Sequence, residues 1–283
     1  TQTLVGPGDG VDVVFHRAAR VSDYGSKKQF YEPILEGTRN MLEACAGKAG
    51  RFVLVSSITA CGVGRHLNGQ KEADRCFRSG IPYSDAKLDA EALVSSSSDR
   101  FPRGCVIVRP SNVVGPRSPW VDDVCRHFFT LMGIPLIDQG RYSASLVHVD
   151  NLVDGIIMAG TNEDAAGRTY HFCDDWQVSW RRYLTDLAAF IGKKPRGNLP
   201  FPLAWGLGHV METLCTPLGL RPPVTRLAAG LMELGAMTAF LYLVMIRDYM
   251  YEHIAALTGA RVTHSYGRIG GLARDLPDGW LKR

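Results

Sequence analysis

Along most of this chain, short β-branched apolar runs alternate with longer stretches in which apolar residues recur at helical spacing. The first run, Val11-Asp-Val-Val-Phe15, leads into His16-Arg17-Ala18-Ala19-Arg20-Val21, a buried-strand pattern followed by small residues where something can approach the backbone closely. Residues 30–46 place Leu35, Met41, Leu42 and Ala44 at helical intervals. Residues 52–55 predict a second strand, inside Arg51-Phe-Val-Leu-Val-Ser56, with Ser57 at its carboxyl end. Pro82 suits the first turn of a helix, where its missing N–H would be unpaired anyway, and good helix formers follow through residues 83–94. Cys105-Val-Ile-Val108 is a third strand, and residues 120–134 read as a helix carrying Arg126 and His127.

Strand, helix, strand, helix, strand is the alternation of a parallel sheet wrapped by helices, whose ligands bind beyond the carboxyl ends of the strands. Ala18, Ser57 and Asn112 all fall at such ends.

Composition narrows the function classes. With 283 residues, 46% hydrophobic and 21% charged, the chain can bury a substantial core in one large or two modest domains. A net charge of +4 with no Lys/Arg-rich block argues against a nucleic-acid partner. The seven cysteines (Cys45, Cys61, Cys76, Cys105, Cys125, Cys173 and Cys215) form no C-x-x-C pair, and several sit in apolar runs. That pattern predicts buried reduced thiols in a cytoplasmic protein rather than a metal site or a disulfide framework. The N-terminus shows no basic segment followed by an apolar one, the mark of a secretion signal. Ser95 to Ser98 reads as a polar surface loop.

The chemistry concentrates in Ile81-Pro82-Tyr83-Ser84-Asp85-Ala86-Lys87. A tyrosine and a lysine four residues apart share a helix face, so the ammonium can sit beside the phenol and favour its ionised form. Free tyrosine ionises near pH ~10, and a neighbouring positive charge brings it toward the range of a general acid or base.

These pieces together resemble the extended short-chain dehydrogenase/reductase family, the group containing nucleotide-sugar epimerases, sugar dehydratases and 3β-hydroxysteroid dehydrogenases. The matching segments, over residues 10 to about 226, are Asp12-Val-Val-Phe-His16 with Ala18-Ala19, Glu36-Gly37-Thr38-Arg39-Asn40, Val55-Ser56-Ser57, Tyr83 with Lys87, Arg109-Pro110-Ser-Asn112-Val-Val-Gly115-Pro116, and Leu146-Val-His-Val-Asp150-Asn-Leu152. The resemblance implies an α/β, Rossmann-like parallel sheet and an NAD(P)-dependent oxidoreductase or epimerase acting on a secondary alcohol of a small-molecule substrate, a sugar nucleotide or sterol-like compound. It implies that Tyr83 moves the proton, that Lys87 depresses its pKa and holds the nicotinamide ribose, and that Ser57 hydrogen-bonds the reacting oxygen. Ala18 and Ala19 would line the cofactor, Pro110 and Ser111 would lie against the nicotinamide, and Asn112 would reach the substrate. Beside these residues His148 has no vacant catalytic role and reads as structural or substrate-side. Family members often carry an asparagine two residues before Glu-Gly-Thr; Ile34 stands there. Residues 167–172 and 176–191 resemble the strand and helix of the family's smaller substrate domain. The proline-, tryptophan- and leucine-rich residues 199–221 read either as an apolar substrate lid or as core.

Such a fold opens with a strand and a glycine-rich turn whose N–H groups face the cofactor pyrophosphate. Gly6, Gly8 and Gly10 imitate that fingerprint but precede a strand instead of following one, so they predict a loop. At roughly 30 residues per βαβ unit, about two such lengths of the nucleotide-binding half are expected to be missing, with NAD or NADP held at its nicotinamide end only.

Residues 227–246 hold one charge, Glu233, and approach the ~20 apolar residues that span a bilayer. The residues around and beyond this run argue against a span. Glu233-Leu-Gly-Ala-Met-Thr238, Arg247-Asp-Tyr-Met-Tyr-Glu-His253, Tyr266-Gly-Arg268-Ile-Gly-Gly271 and Asp275-Leu-Pro-Asp-Gly-Trp280 resemble the hydrogenase-like D-type subunit of respiratory complex I, which implies an apolar helix that normally packs within that complex. The expected organisation is therefore a dehydrogenase domain at 1–226, able to form a homodimer, joined at a chimeric boundary to an appended, mainly helical segment at 227–283. Three readings are compatible with it: an enzyme impaired by truncation, a non-catalytic structural or interaction protein linked to the respiratory complex, and a membrane-anchored reductase. Convergence of Ser57, Tyr83 and Lys87 distinguishes the first.

Overall fold

In the computed structural model, described over residues 10–65, 69–130, 133–174 and 178–233 together with the backbone of 267–268 and 271–272, four parallel strands build the central sheet. They are β1 (Val11–His16), β2 (Ala49–Val55), β3 (Cys105–Pro110) and β7 (Thr169–Phe172), lying side by side in that order. Pairing runs from Val11 opposite Ala49, Phe52 opposite Cys105 and Ile107 opposite Thr169. All four strands point the same way, so the residues after His16, Val55 and Pro110 gather at one edge.

The helices cover both faces. On one lie α1 (Lys27–Tyr31), α2 (Gly37–Cys45) and α3 (Pro82–Ser95); on the other lies α5 (Val149–Thr161). Alternation along β1 assigns the faces: Val14 joins the core with Phe30, Leu42 and Phe52, while Val13 and Phe15 reach Gly160 of α5. Close approach of α5 requires glycine at 155, where a Cβ would stand 2.2 Å from the Phe172 ring.

Between α1 and α2 the helix widens to a π turn over Glu32–Glu36 with Pro33 in its first turn, and Gly37 N–H bonds the Glu32 carbonyl five residues back. Ile34, the residue in the asparagine position, is buried in this turn. At the other end of the sheet, Arg51 is 1% exposed and spreads its guanidinium over the carbonyls of Ala159, Gly160, Asn162 and Glu163. A cation there satisfies the last carbonyls of α5 and complements its dipole.

Four further short strands pair in parallel, β4 (Asn112–Val114) with β6 (Leu146–His148) and β5 (Leu136–Ile137) with β8 (Asn198–Leu199). Around them pack α4 (Pro119–Phe128) and α6 (Trp180–Phe190), with Trp180 and Leu184 buried.

Several expectations change here. The strand at 169–172 belongs to the main sheet beside β3, not to a separate substrate layer, because its register with Ile107 to Pro110 completes the parallel ladder. Helix α4 stops at Phe128, short of 134. Ser97 is buried, and Ser98 Oγ accepts from Cys105 N–H at 2.9 Å, so this tract helps seat β3. On the outer side of helix α7 (Phe201–Cys215) Leu203, Leu207, Val210 and Leu214 are all exposed, while Ala204 and Gly208 face inward.

Helix α8 (Arg226–Glu233) packs against α7, Arg226 binding Glu212 at 2.7 Å, and Leu231 O accepts from Trp180 Nε1 at 3.2 Å. The chain divides into two compact units, Thr1–Ala239 and Phe240–Arg283. In the second unit a two-stranded antiparallel hairpin pairs β9 (Gly267–Arg268) with β10 (Gly271–Leu272). The apolar run beyond Glu233, like Gly6 and Gly8, lies outside the described residues. Among the described residues no helix is long and apolar enough to cross a membrane.

Candidate active site

Ser57 follows β2 in extended conformation and caps a 3-10 turn, Ile58–Cys61. Its Oγ accepts from Thr59 N–H at 3.2 Å and from the Thr59 hydroxyl at 3.0 Å. With both acceptor positions filled, the Ser57 proton is left for another partner, and the turn that Ser57 caps packs against α3, which carries Tyr83. Tyr83 sits in the first turn of α3, 9% exposed, its ring edge-on to Phe30 at 5.9 Å.

Lys87, one turn further along α3, is 4% exposed and donates to the Val55 carbonyl at 2.9 Å. This corrects the expected phenol contact. The ammonium is captured by a strand-end carbonyl, and burial pushes the Tyr83 phenol up, opposed by the nearby Ser57 hydroxyl. Burial likewise lowers Lys87 to about 8, with Glu91 acting the other way. The Tyr83 proton is thus held at neutral pH, suited to donation.

Glu91, one further turn down α3, anchors the polar interior. Arg109 grips it in a fork, Nη2 to Oε2 at 2.7 Å and Nε to Oε1 at 3.0 Å, and Ser56 Oγ donates to it at 2.5 Å. Behind Arg109 lie Cys61 Sγ at 3.5 Å and His171 Nε2 at 3.2 Å. None of these partners was singled out from the sequence. The spacing Lys87 to Glu91 was the available signal, since residues four apart share a helix face.

On β1, His16 is buried with Nε2 at 3.1 Å from Thr38 Oγ1, whose own proton goes to Ile34 O at 2.5 Å. His16 therefore donates from Nε2 as a neutral ring, and burial, with the Lys87 charge, lowers it to about 4.

Ala18 and Ala19 follow β1 at the same edge, Ala18 exposed and Ala19 packed on the core. Pro110 ends β3, and Ser111 N–H bonds Phe172 O at 2.9 Å while its hydroxyl is buried without a hydrogen-bond partner. Asn112 does not join this group: its amide donates to Ala144 O at 2.7 Å, tying β4 to the loop before β6. His148 caps α5, its Nδ1 accepting from Asp150 N–H, while its own N–H donates to Asp174 at 2.7 Å, a structural use. All seven cysteines are free thiols, and no cluster that could hold a metal occurs among the described residues.

Residues 5–173 match the family model described as NAD dependent epimerase/dehydratase family. The chain belongs to that family. A ketoreductase from Stigmatella aurantiaca, named for a 4-hydroxy-2-methyl-3-oxo-4-farnesyl-3,4-dihydroquinoline-1-oxide substrate, is 31% identical over 233 residues, covering 79% of this chain and 68% of its own. The dTDP-glucose 4,6-dehydratase DesIV from Streptomyces venezuelae, solved with NAD and DAU bound, superimposes with TM-score 0.58 at 22% identity, covering 80% of this chain and 73% of that one, and so shares the fold. Extended short-chain dehydrogenase architecture thus accounts for the parallel sheet, with Ser57 and Tyr83 meeting at its carboxyl edge. Residues 233–283 match a second family, the 49 Kd subunit of respiratory-chain NADH dehydrogenase. The D-type NADH-quinone oxidoreductase subunit of Pelobacter propionicus is 67% identical over 60 residues, and the chain spans only 15% of that relative's length.

Proposed function

We propose that this chain is a nicotinamide-dependent oxidoreductase that interconverts a ketone and a secondary alcohol, with Tyr83 moving the proton at the substrate oxygen. The observation that carries this reading is the placement of buried Tyr83 in the first turn of α3, packed against the turn that Ser57 caps at the carboxyl edge, with Lys87 fixed to Val55 one turn further on. Donors aimed at one point hold the substrate oxygen without reorganisation. Tyr83, protonated at neutral pH, gives its proton to the carbonyl oxygen as it becomes an alkoxide. On substrate binding the Ser57 proton, which Thr59 does not use, turns to the same oxygen and fixes its approach.

The residues present suit the nicotinamide end of a dinucleotide. Lys87 spends one of its three N–H groups on Val55 and keeps two for ribose hydroxyls, and the partnerless Ser111 hydroxyl offers a buried polar contact beside Pro110. Ala18 and Ala19 leave room for close approach at the end of β1. The bound dinucleotide would supply the hydride in reduction or receive it in oxidation. Among the described residues no glycine-rich turn joins a strand to a helix start, so these residues are assigned to the nicotinamide end alone. The Stigmatella relative's name supports ketone reduction on an apolar ring system, and the DesIV likeness supports NAD.

The test is nicotinamide oxidation in the presence of ketones of two kinds, sugar nucleotides and apolar ring compounds, with NADH and NADPH compared. Turnover by the wild type that Tyr83→Phe abolishes is the expected result. Undiminished turnover in Tyr83→Phe would remove Tyr83 from the reaction.

A further inference from the structure

The segment between Ser57 and Tyr83 leaves the 3-10 turn at Cys61 and comes back to it. Phe77 N–H donates to the Cys61 carbonyl at 3.2 Å, and the Phe77 ring occupies the place where a side chain on Gly62 would begin, 2.5 Å from that position. Gly62 also has φ 107°, a conformation L side chains rarely adopt, so the return is specified twice at one residue. It sets Cys76, the residue before Phe77, next to the Cys61 backbone and packs Cys76 onto the core cluster that contains Cys61.

The two sulfurs differ in access. Cys61 is 1% exposed, while Cys76 is half-buried and reachable from solvent. Positive charge stands at the buried sulfur: Arg109 Nη1 lies 3.5 Å from Cys61 Sγ, held in place by its fork on Glu91. His171 Nε2, 3.6 Å from Cys61 Sγ, closes the far side. An accessible thiol backed by a buried one and by a fixed cation is the arrangement of an attacking and a resolving cysteine.

We propose that Cys61 and Cys76 are a reversible dithiol site that takes low-molecular-weight disulfides as its oxidant. The Cys76 thiolate attacks one sulfur of the small disulfide; the new sulfur–sulfur bond forms as the old one breaks, and one small thiol leaves with a proton from solvent. Cys61 then attacks the Cys76 sulfur of the mixed disulfide, its proton passing to the second departing thiol. Two protein thiols are oxidised and one small disulfide is reduced to two thiols. The nearby Cys61 thiol, opposed by burial and helped by Arg109, brings Cys76 down to about 7, so a large fraction is thiolate at neutral pH. Once closed, the bond clamps the segment between Ser57 and Tyr83 at both ends. The site is independent of the reaction proposed above.

The full-length chain is equilibrated with glutathione and glutathione disulfide at graded ratios, quenched in acid, alkylated with N-ethylmaleimide and mapped by peptide mass. A single cross-linked peptide pair joining Cys61 to Cys76, two hydrogens lighter than its parts and reopened by dithiothreitol, is expected, with the other cysteines alkylated. In Cys61→Ser the same ratios should instead leave glutathione on Cys76. The proposal is overturned if wild-type Cys76 retains glutathione, if both thiols stay alkylatable at the most oxidising ratio, or if the only disulfides formed join separate chains.

Discussion

The Lys87 ammonium donates to the Val55 carbonyl at 2.9 Å, and this one bond fixes the start of α3, which carries Tyr83, against the end of β2, which carries Ser57. Lys87→Met should therefore act in two ways: loss of ribose binding, read as a raised KM for the dinucleotide, and loosening of the Tyr83 and Ser57 contact, read as a lowered kcat. A change in KM alone would mean that the strand-end bond does not position α3.

Tyr83→Phe removes one hydroxyl and keeps the ring against Phe30. Turnover should fall by roughly 100- to 10,000-fold, while stability changes by about 1 kcal/mol. Steady-state rates set beside urea unfolding separate the two effects. Ser57→Ala should lower turnover in the same direction.

The Arg109 and Glu91 side chains are 7% and 5% exposed, so each depends on the other. Glu91→Gln should cost about 3–5 kcal/mol by stranding a buried guanidinium. Combining Arg109→Met with Glu91→Leu should recover most of that loss, because an apolar pair needs no desolvation. A double variant no more stable than the single one in urea titration would count against the ion pair as the cause.

Two buried imidazoles set the acid limit of stability. His16 and His171 both lie at about 4, lowered chiefly by burial, while unfolded histidine titrates near 6.5. Between those values the unfolded chain binds more protons than the folded one, so stability falls as pH drops from about 6.5 toward 4. Each imidazole contributes a loss of about 2 kcal/mol by pH ~5. His16→Asn should be less stable than wild type at neutral pH and should close part of that gap at pH ~5, measured as urea midpoints.

Helix α7 turns Leu203, Leu207, Val210 and Leu214 to solvent, and its acidic residue Glu212 inward to Arg226. Leu207→Glu should leave stability within about 0.5 kcal/mol while reducing the fluorescence of a bound apolar dye and raising solubility. A large loss of stability would mean that the leucine face is covered in solution.

Much of this architecture is legible in the sequence because it rests on local, periodic signals. The β-branched runs at 11–15, 52–55 and 105–108 and the proline before Tyr83 mark elements whose length and direction follow from backbone preference and side-chain spacing. A parallel sheet then puts Ser57 and Ala18 at one edge, since all the strands share one direction. The sequence alone therefore determined the parallel sheet and the family resemblance. Which partner each charged group takes was decided by packing between segments far apart in the chain. Lys87 turned to Val55 rather than to the phenol, Asn112 to Ala144, Arg51 to the end of α5 and Arg109 to Glu91. Likewise the strand at 169–172 joined the main sheet, and Phe77 returned onto Gly62 and the Cys61 carbonyl. Hydrogen bonds and ion pairs in a dry interior go to whichever acceptor the tertiary fold brings within reach, and spacing along the chain carries no record of that choice.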